Sequence, residues 1–340
     1  MVIKQALIGK TLQELQEIAR ALDMPKFTGR QIAEWIYQKR VKSIAEMTNL
    51  SLLNREKLAE RYEVGVSEPI EIKRSQDGTV KYLFPTADGK FVETVYIPDG
   101  ERATLCVSCQ VGCKMNCLFC QTGKQGWQGN LTATDILNQI FSIEGPETLT
   151  NIVYMGQGEP LDNYDAVMRS LEILTASYGW AWSPRRITVS TCGLRKNLKR
   201  YLDESDCHLA VSLHTPLHEQ RLRLMPAEKQ YPIADIVELL KDYDWSHQRR
   251  LTFEYTLLRG NDTPMHAKEL CKLLAGLDCR VNLIRWHKIP DVDLQPASEE
   301  SIIAFETYLN RHGIPTTLRA SRGQDIEAAC GLLSTKLINN

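Results

Sequence analysis

Between Thr11 and Tyr62 the apolar residues fall three and four apart: Leu12, Leu15, Ile18, Ala19 and Leu22, then Ile32, Trp35 and Ile36. That spacing lays them along one stripe of a 3.6-residue period and predicts a small helical domain over residues 1–65, broken at Pro25 and Gly29. From Ile70 to Ile97 the pattern changes to alternation, with Asp77-Gly78 and Asp88-Gly89 as tight-turn signals between short strands such as VKYLF and FVETVYI. A β-hairpin extension over residues 66–101 is predicted. Beyond Arg102 the chain reads as strand-then-helix units, with strands TLCVS, NIVYM, RRITVS, HLAVSLH, LTFEYTLL, VNLIRW and TTLRAS. Nearly continuous apolar strands separated by helical patterns predict a parallel sheet covered by helices, so the fold class is α/β. A complete eight-unit barrel takes about 250 residues. Residues 102–340 must also house long loops, which predicts an incomplete (β/α) barrel with its chemistry at the carboxyl ends of the strands.

Composition narrows the class. A chain of 340 residues with 43% hydrophobic content can bury a full core. It has no apolar run of membrane-spanning length, and the opening MVIKQALIGKTLQELQ lacks the apolar stretch of a signal peptide. The expectation is a cytoplasmic protein, monomeric and without membrane contact. The net charge of -1 excludes wholesale coating of nucleic acid, so any RNA contact must come from local patches. One candidate surrounds Trp35 and Tyr37 with Lys26, Arg30, Lys39, Arg40 and Lys42, opposed only by Glu34. A solvated helix face over two core aromatics accounts for the same residues.

Five of the ten cysteines crowd between Cys106 and Cys120, which in a reducing compartment points to metal or redox chemistry. Cys113, Cys117 and Cys120 form a CxxxCxxC in the loop after TLCVS, with Gly112 and Gly123 leaving room for the backbone to wrap a cluster. Thiolates bind iron–sulfur clusters and zinc alike. Three thiolates on a cubane leave one iron open to a substrate amine and carboxylate. Cys109 would instead complete a four-thiolate zinc site, and spacing alone leaves both open. Cys192, Cys207, Cys271 and Cys279, in or beside predicted strands and helices, read as small apolar fillers.

The CxxxCxxC, followed by Gly158-Glu159-Pro160 after NIVYM, resembles the radical S-adenosylmethionine (SAM) superfamily. Within it the chain resembles the RlmN and Cfr family of RNA adenosine methyltransferases, through ERATLCVSCQVGCKMNCLFCQTG, YMGQGEPLDN, RRITVSTCG, VSLHTP, LMP and RGQDIEAACG. The likeness spans nearly the whole chain. It implies a radical SAM barrel, a [4Fe-4S] cluster on Cys113, Cys117 and Cys120, and SAM contacts from Gly158, Glu159, Ser190, Ser212, Leu213 and His214. It also implies a methyl-carrying Cys330, a partner Cys106 that takes the proton and forms a transient disulfide with it, and Glu93 as proton acceptor near the base. By its alternation with Val92, Glu93 alone would read as an exposed carboxylate. Two SAM molecules per turnover, 23S rRNA and tRNA as substrates, and an electron donor such as flavodoxin follow from the same resemblance.

The chain departs from the family at Arg285-Trp286-His287, which places His287 where relatives have a cofactor-binding asparagine, and at Gln157, where many have methionine. A histidine can still make one hydrogen bond there. By the same resemblance, Glu159-Pro160, where Cfr-type sequences more often have Glu-Ala, favours methylation at carbon 2 of adenosine over the carbon-8 chemistry of Cfr-type enzymes. The rival from another class is a zinc-stabilised RNA-binding protein without catalysis.

Overall fold

A computed structural model describes residues 4–247 and 249–335. The N-terminal segment folds into α1 (Leu12–Ala21), α2 (Thr28–Ala33) and α3 (Leu52–Arg61). The Thr11 hydroxyl accepts from the Glu14 amide while the Glu14 carboxylate accepts from the Thr11 amide, a reciprocal cap that fixes the start of α1. Its ends are tied by parallel pairing of Gln5–Ala6 with Tyr62–Glu63. The predicted break at Gly29 does not occur: Gly29 lies inside α2. A Cβ there would stand 2.6 Å from Cα of Gln16, so the glycine lets α1 and α2 touch.

Among the described residues ten strands form one sheet. In chain order they are β1 (Glu71–Arg74), β2 (Val80–Pro85), β3 (Phe91–Asp99), β4 (Arg102–Cys106), β5 (Asn151–Tyr154), β6 (Ile187–Thr191), β7 (His208–Ser212), β8 (Leu251–Leu257), β9 (Arg280–Arg285) and β10 (Thr316–Leu318). They lie side by side in that same order. Strands β4 to β10 run parallel, and β1 to β3 continue the sheet antiparallel from β4. The terminal strands β1 and β10 are not paired with each other, so the barrel is incomplete as predicted. The turn-rich extension is thus three strands built onto the barrel sheet, not a separate ribbon.

Helices fill the crossovers, among them α4 (Gln121–Gln125), α5 (Ala133–Phe141), α6 (Tyr164–Thr175) and α7 (Arg195–Glu204), then α8 (His218–Leu224) and α9 (Ile233–Lys241). Their apolar faces cover the outer side of the strands, and a single cluster of buried side chains joins the N-terminal helices to the sheet. Alternation along each strand sends Ile187 and Val189 into that core and leaves Ser190 half-buried on the other face. No described helix is long and apolar enough to cross a membrane.

The basic patch of the N-terminal domain is more compensated than its sequence suggests. Lys39 pairs with Glu34 and sits over the Trp35 ring, and Lys42 pairs with Glu68. Arg40 lies 4.3 Å from the Trp180 ring and 3.9 Å from Glu147. Glu68 and Glu147 lie outside the patch in sequence, so Glu34 is not the only carboxylate opposing it; Arg40 joins the helical domain to the barrel.

Candidate active site

A cavity of about 160 Å³ opens at the carboxyl ends of the parallel strands. Met155 follows β5, Ser190 and Thr191 end β6, Ser212 ends β7, Thr256 lies near the end of β8, and Arg319 follows β10; all line it. Cys113, Cys117 and Cys120 come in from the loop after β4, and Cys330 and Gly331 from the C-terminal segment. The cysteine loop is held from three sides. The Leu118 amide donates to Leu224, the Trp286 indole to Phe119, and the Gln121 amide to Gly331.

Burial pushes the Cys113 thiol up to about 12 and raises that of Cys117 well above the ordinary thiol range, so both keep their protons until a cation draws them off. Among the described residues no three His, Cys, Asp or Glu side chains close on one point as ligands of a single ion would. Cys113, Cys117 and Cys120 line one cavity and are the thiolate set that a cluster would take. Cys109 does not join them: it is buried, outside the cavity lining, and its sulfur faces the Gln157 carbonyl at 3.6 Å. The four-thiolate zinc site therefore lacks its fourth ligand.

Cys106 and Cys330 are brought together. The Cys106 thiol is pushed up to about 12, by burial first and then by the charge of Cys330, against the pull of Arg319. The Arg319 guanidinium is held above its ordinary value chiefly by Cys330, with help from Glu254 and Cys106. Its Nη1 lies 3.8 Å from the Glu254 carboxylate and 3.5 Å from the sulfur of Met155. One half-buried cation thus serves both thiols. The sequence carried no periodic or motif signal for Arg319 or Glu254 in this role.

Glu93 is buried, contrary to the plain strand reading, because the C-terminal segment covers the second face of β3. It pairs with buried Lys81 at 2.8 Å and accepts from the Ser334 amide at 2.8 Å. Lys81 in turn donates to the Glu327 carbonyl. The pair grips the C-terminal segment on both sides of Cys330. Burial pushes the Glu93 carboxyl up while Lys81 pulls it back.

Of the residues assigned to SAM, Gly158, Glu159, Ser190, Ser212 and His214 line the cavity. Gly158 has φ +102°, and a Cβ there would meet the Gln110 side chain at 2.6 Å. The Glu159 carboxylate accepts from the Thr191 hydroxyl at 2.6 Å and the Cys192 amide at 2.9 Å, pinning the loop after β5 to the end of β6. Gln157 bonds the Glu93 amide and Gln125, contacts a methionine would forgo. The His214 Nδ1 accepts from the Thr256 amide, so its proton sits on Nε2, and burial, with Arg221 nearby, brings its pKa down to about 3.

Two residues fall outside the lining. The Leu213 side chain is wholly in the core, and its carbonyl accepts from buried Arg221, which also holds the Ser212 carbonyl and pairs with Glu228. His287 turns to the Ser321 hydroxyl at 2.9 Å, leaving Trp286 on the cavity.

Comparison with known proteins agrees with this architecture. The model of the radical SAM superfamily matches residues 107–274, and that of the ribosomal RNA large subunit methyltransferase N-terminal domain matches residues 5–64. A probable dual-specificity RNA methyltransferase RlmN from Phocaeicola vulgatus is 61% identical over 98% of this chain and 95% of its own. The corresponding enzyme of Syntrophus aciditrophicus is 40% identical over 96% of each chain. A crystal structure of a radical SAM methyltransferase from Sphaerobacter thermophilus superposes with a TM-score of 0.91 at 43% identity, over 97% of this chain and 99% of that one. The chain belongs to the RlmN family of radical SAM RNA methyltransferases.

Proposed function

We propose that the protein methylates carbon 2 of an adenosine in 23S rRNA, and in tRNA, through an S-methylcysteine at Cys330. The observation that carries the proposal is the meeting of Cys330 and Cys106 around Arg319, beside the cavity that Cys113, Cys117 and Cys120 line. Those three would hold a [4Fe-4S] cluster, and the cavity edge formed by Gly158, Glu159, Ser190, Ser212 and His214 would meet SAM, with two molecules used per methyl transferred. Held there, a cluster would supply the electron for reductive cleavage of SAM, the source of the radical chemistry at the S-methyl group.

Carbon 2 of adenine is electron-poor and has no lone pair with which to attack an electrophilic methyl, so a protein sulfur must carry the carbon to it. Cys330 is exposed enough to meet RNA. Arg319, which pulls the Cys106 thiol down against its burial, favours the Cys106 thiolate. That thiolate takes the proton from carbon 2 after the base has bonded to the Cys330 carbon and passed its unpaired electron to a one-electron iron–sulfur acceptor. The Cys106 sulfur then bonds to the Cys330 sulfur as the sulfur–carbon bond breaks, and a proton completes the methyl group. The resulting disulfide must be reduced for the next cycle. Glu93 acts as proton acceptor near the base, and an electron donor such as flavodoxin serves the cluster of this monomeric, cytoplasmic enzyme.

Mass spectrometry of adenosines from RNA treated anaerobically with reconstituted enzyme tests the assignment. 2-Methyladenosine is the expected product; 8-methyladenosine, or no methylated adenosine, would contradict it.

A further inference from the structure

The opposite end of the parallel sheet holds a second cavity, of about 480 Å³, that the methylation chemistry does not use. It is built from the amino ends of neighbouring strands. Arg102 opens β4, His208 opens β7 and Arg280 opens β9, while Arg185 lies just ahead of β6 and Arg249 and Arg250 just ahead of β8. Because the sheet curls, strands well separated in its order face one another across this mouth. Arg250 accordingly feels both Arg280 and Arg102, and His208 feels Arg250 and Arg185.

The charges converge with little compensation, although the Arg249 guanidinium donates to the Leu202 and Ser205 carbonyls. Asp278 is the one acidic residue on the lining, and among the described residues none of the five arginines has a carboxylate partner. Arg74, Arg285 and Arg322 elsewhere each have one. Residues at the amino end of a barrel ordinarily serve stability. A ring of like charges works against stability, so it calls for a different explanation. Guanidinium forks match phosphate oxygens, and the volume falls within the range of about 300–1,000 Å³ typical of small-ligand sites. The one aromatic on the lining, Trp245, is 7% exposed and has Arg249 5.1 Å from its ring, which leaves no free face for stacking a base.

We propose that this cavity binds a small polyanion of linked phosphates, recognised by charge and at a site separate from the methylation centre. Tripolyphosphate titrated into the full-length protein, followed by calorimetry and thermal unfolding at moderate salt, is the test. Wild-type protein should bind it and melt at a higher temperature. The Arg250→Ala, Arg280→Ala double variant should bind at least about tenfold more weakly. Without ligand it should melt no lower than wild type, since it has lost like charges. Arg250→Lys with Arg280→Lys, which keeps charge and loses the forks, should fall between and guards against a folding defect. Equal binding by wild type and the alanine variant would overturn the proposal. RNA affinity of the alanine variant, measured by filter binding at the same salt, should be unchanged. A comparable loss there would overturn the small-ligand assignment in favour of the RNA backbone.

Discussion

At the scale of single residues, what decides the chemistry is which cysteine sulfur faces the cavity. Cys109 is as near in sequence to the cluster loop as its neighbours, yet its sulfur faces the Gln157 carbonyl within the core. Cys109→Ala should therefore keep iron and acid-labile sulfide near wild-type stoichiometry after anaerobic reconstitution, whereas Cys117→Ala, which removes one of three ligands, should lose most of both. Loss of iron from Cys109→Ala equal to that from Cys117→Ala would restore the four-thiolate site. The three candidate ligands, Cys106 and Cys330 could be singled out in the sequence because their motifs are local or match a family. Arg319, Glu254 and Arg221 could not. Glu254 is buried in the middle of β8, Arg221 is buried in the short α8 and Arg319 is half-buried just after β10; the value of each lies in partners distant along the chain, where neither periodicity nor spacing leaves a mark.

At the scale of elements, repeated strand-and-helix patterning was enough to read the parallel sheet, because strands covered on both faces must be apolar almost throughout. The hairpin region was legible as strands but not as a clamp. Its outer face looks half-polar in sequence, and only the C-terminal segment lying over β2 and β3 explains why Lys81 and Glu93 are both buried. A buried pair that loses one member leaves an uncompensated charge, at a cost of about 3–5 kcal/mol. Lys81→Met should accordingly lower the melting temperature and loosen the segment carrying Cys330, abolishing methyl transfer while leaving iron content intact. Adding Glu93→Gln should recover much of the stability by removing the stranded carboxylate, without restoring activity. Wild-type melting by Lys81→Met would show that the pair holds nothing.

At the scale of the whole molecule, the sheet works as a frame that brings together segments from opposite ends of the chain. The loop after β4 supplies the three candidate cluster cysteines, the strand before it supplies Cys106, and the segment after β10 supplies Arg319 and Cys330. Sequence alone could rank these segments as interesting, but their convergence required the curvature of the sheet. The roles assigned to the two thiols belong to opposite ends of one covalent cycle, and removing each has a different consequence. Without Cys330 no methyl carrier exists, and no bond to RNA can form. Without Cys106 the methyl carrier still forms and still attacks the base, but nothing withdraws the proton that frees the product. The most direct measurement is a denaturing gel of both variants after anaerobic reaction with RNA and SAM. Cys106→Ala is expected to give a slow-migrating protein–RNA band that ribonuclease collapses, and Cys330→Ala none; an adduct with Cys330→Ala, or full turnover by Cys106→Ala, would contradict the two-cysteine cycle.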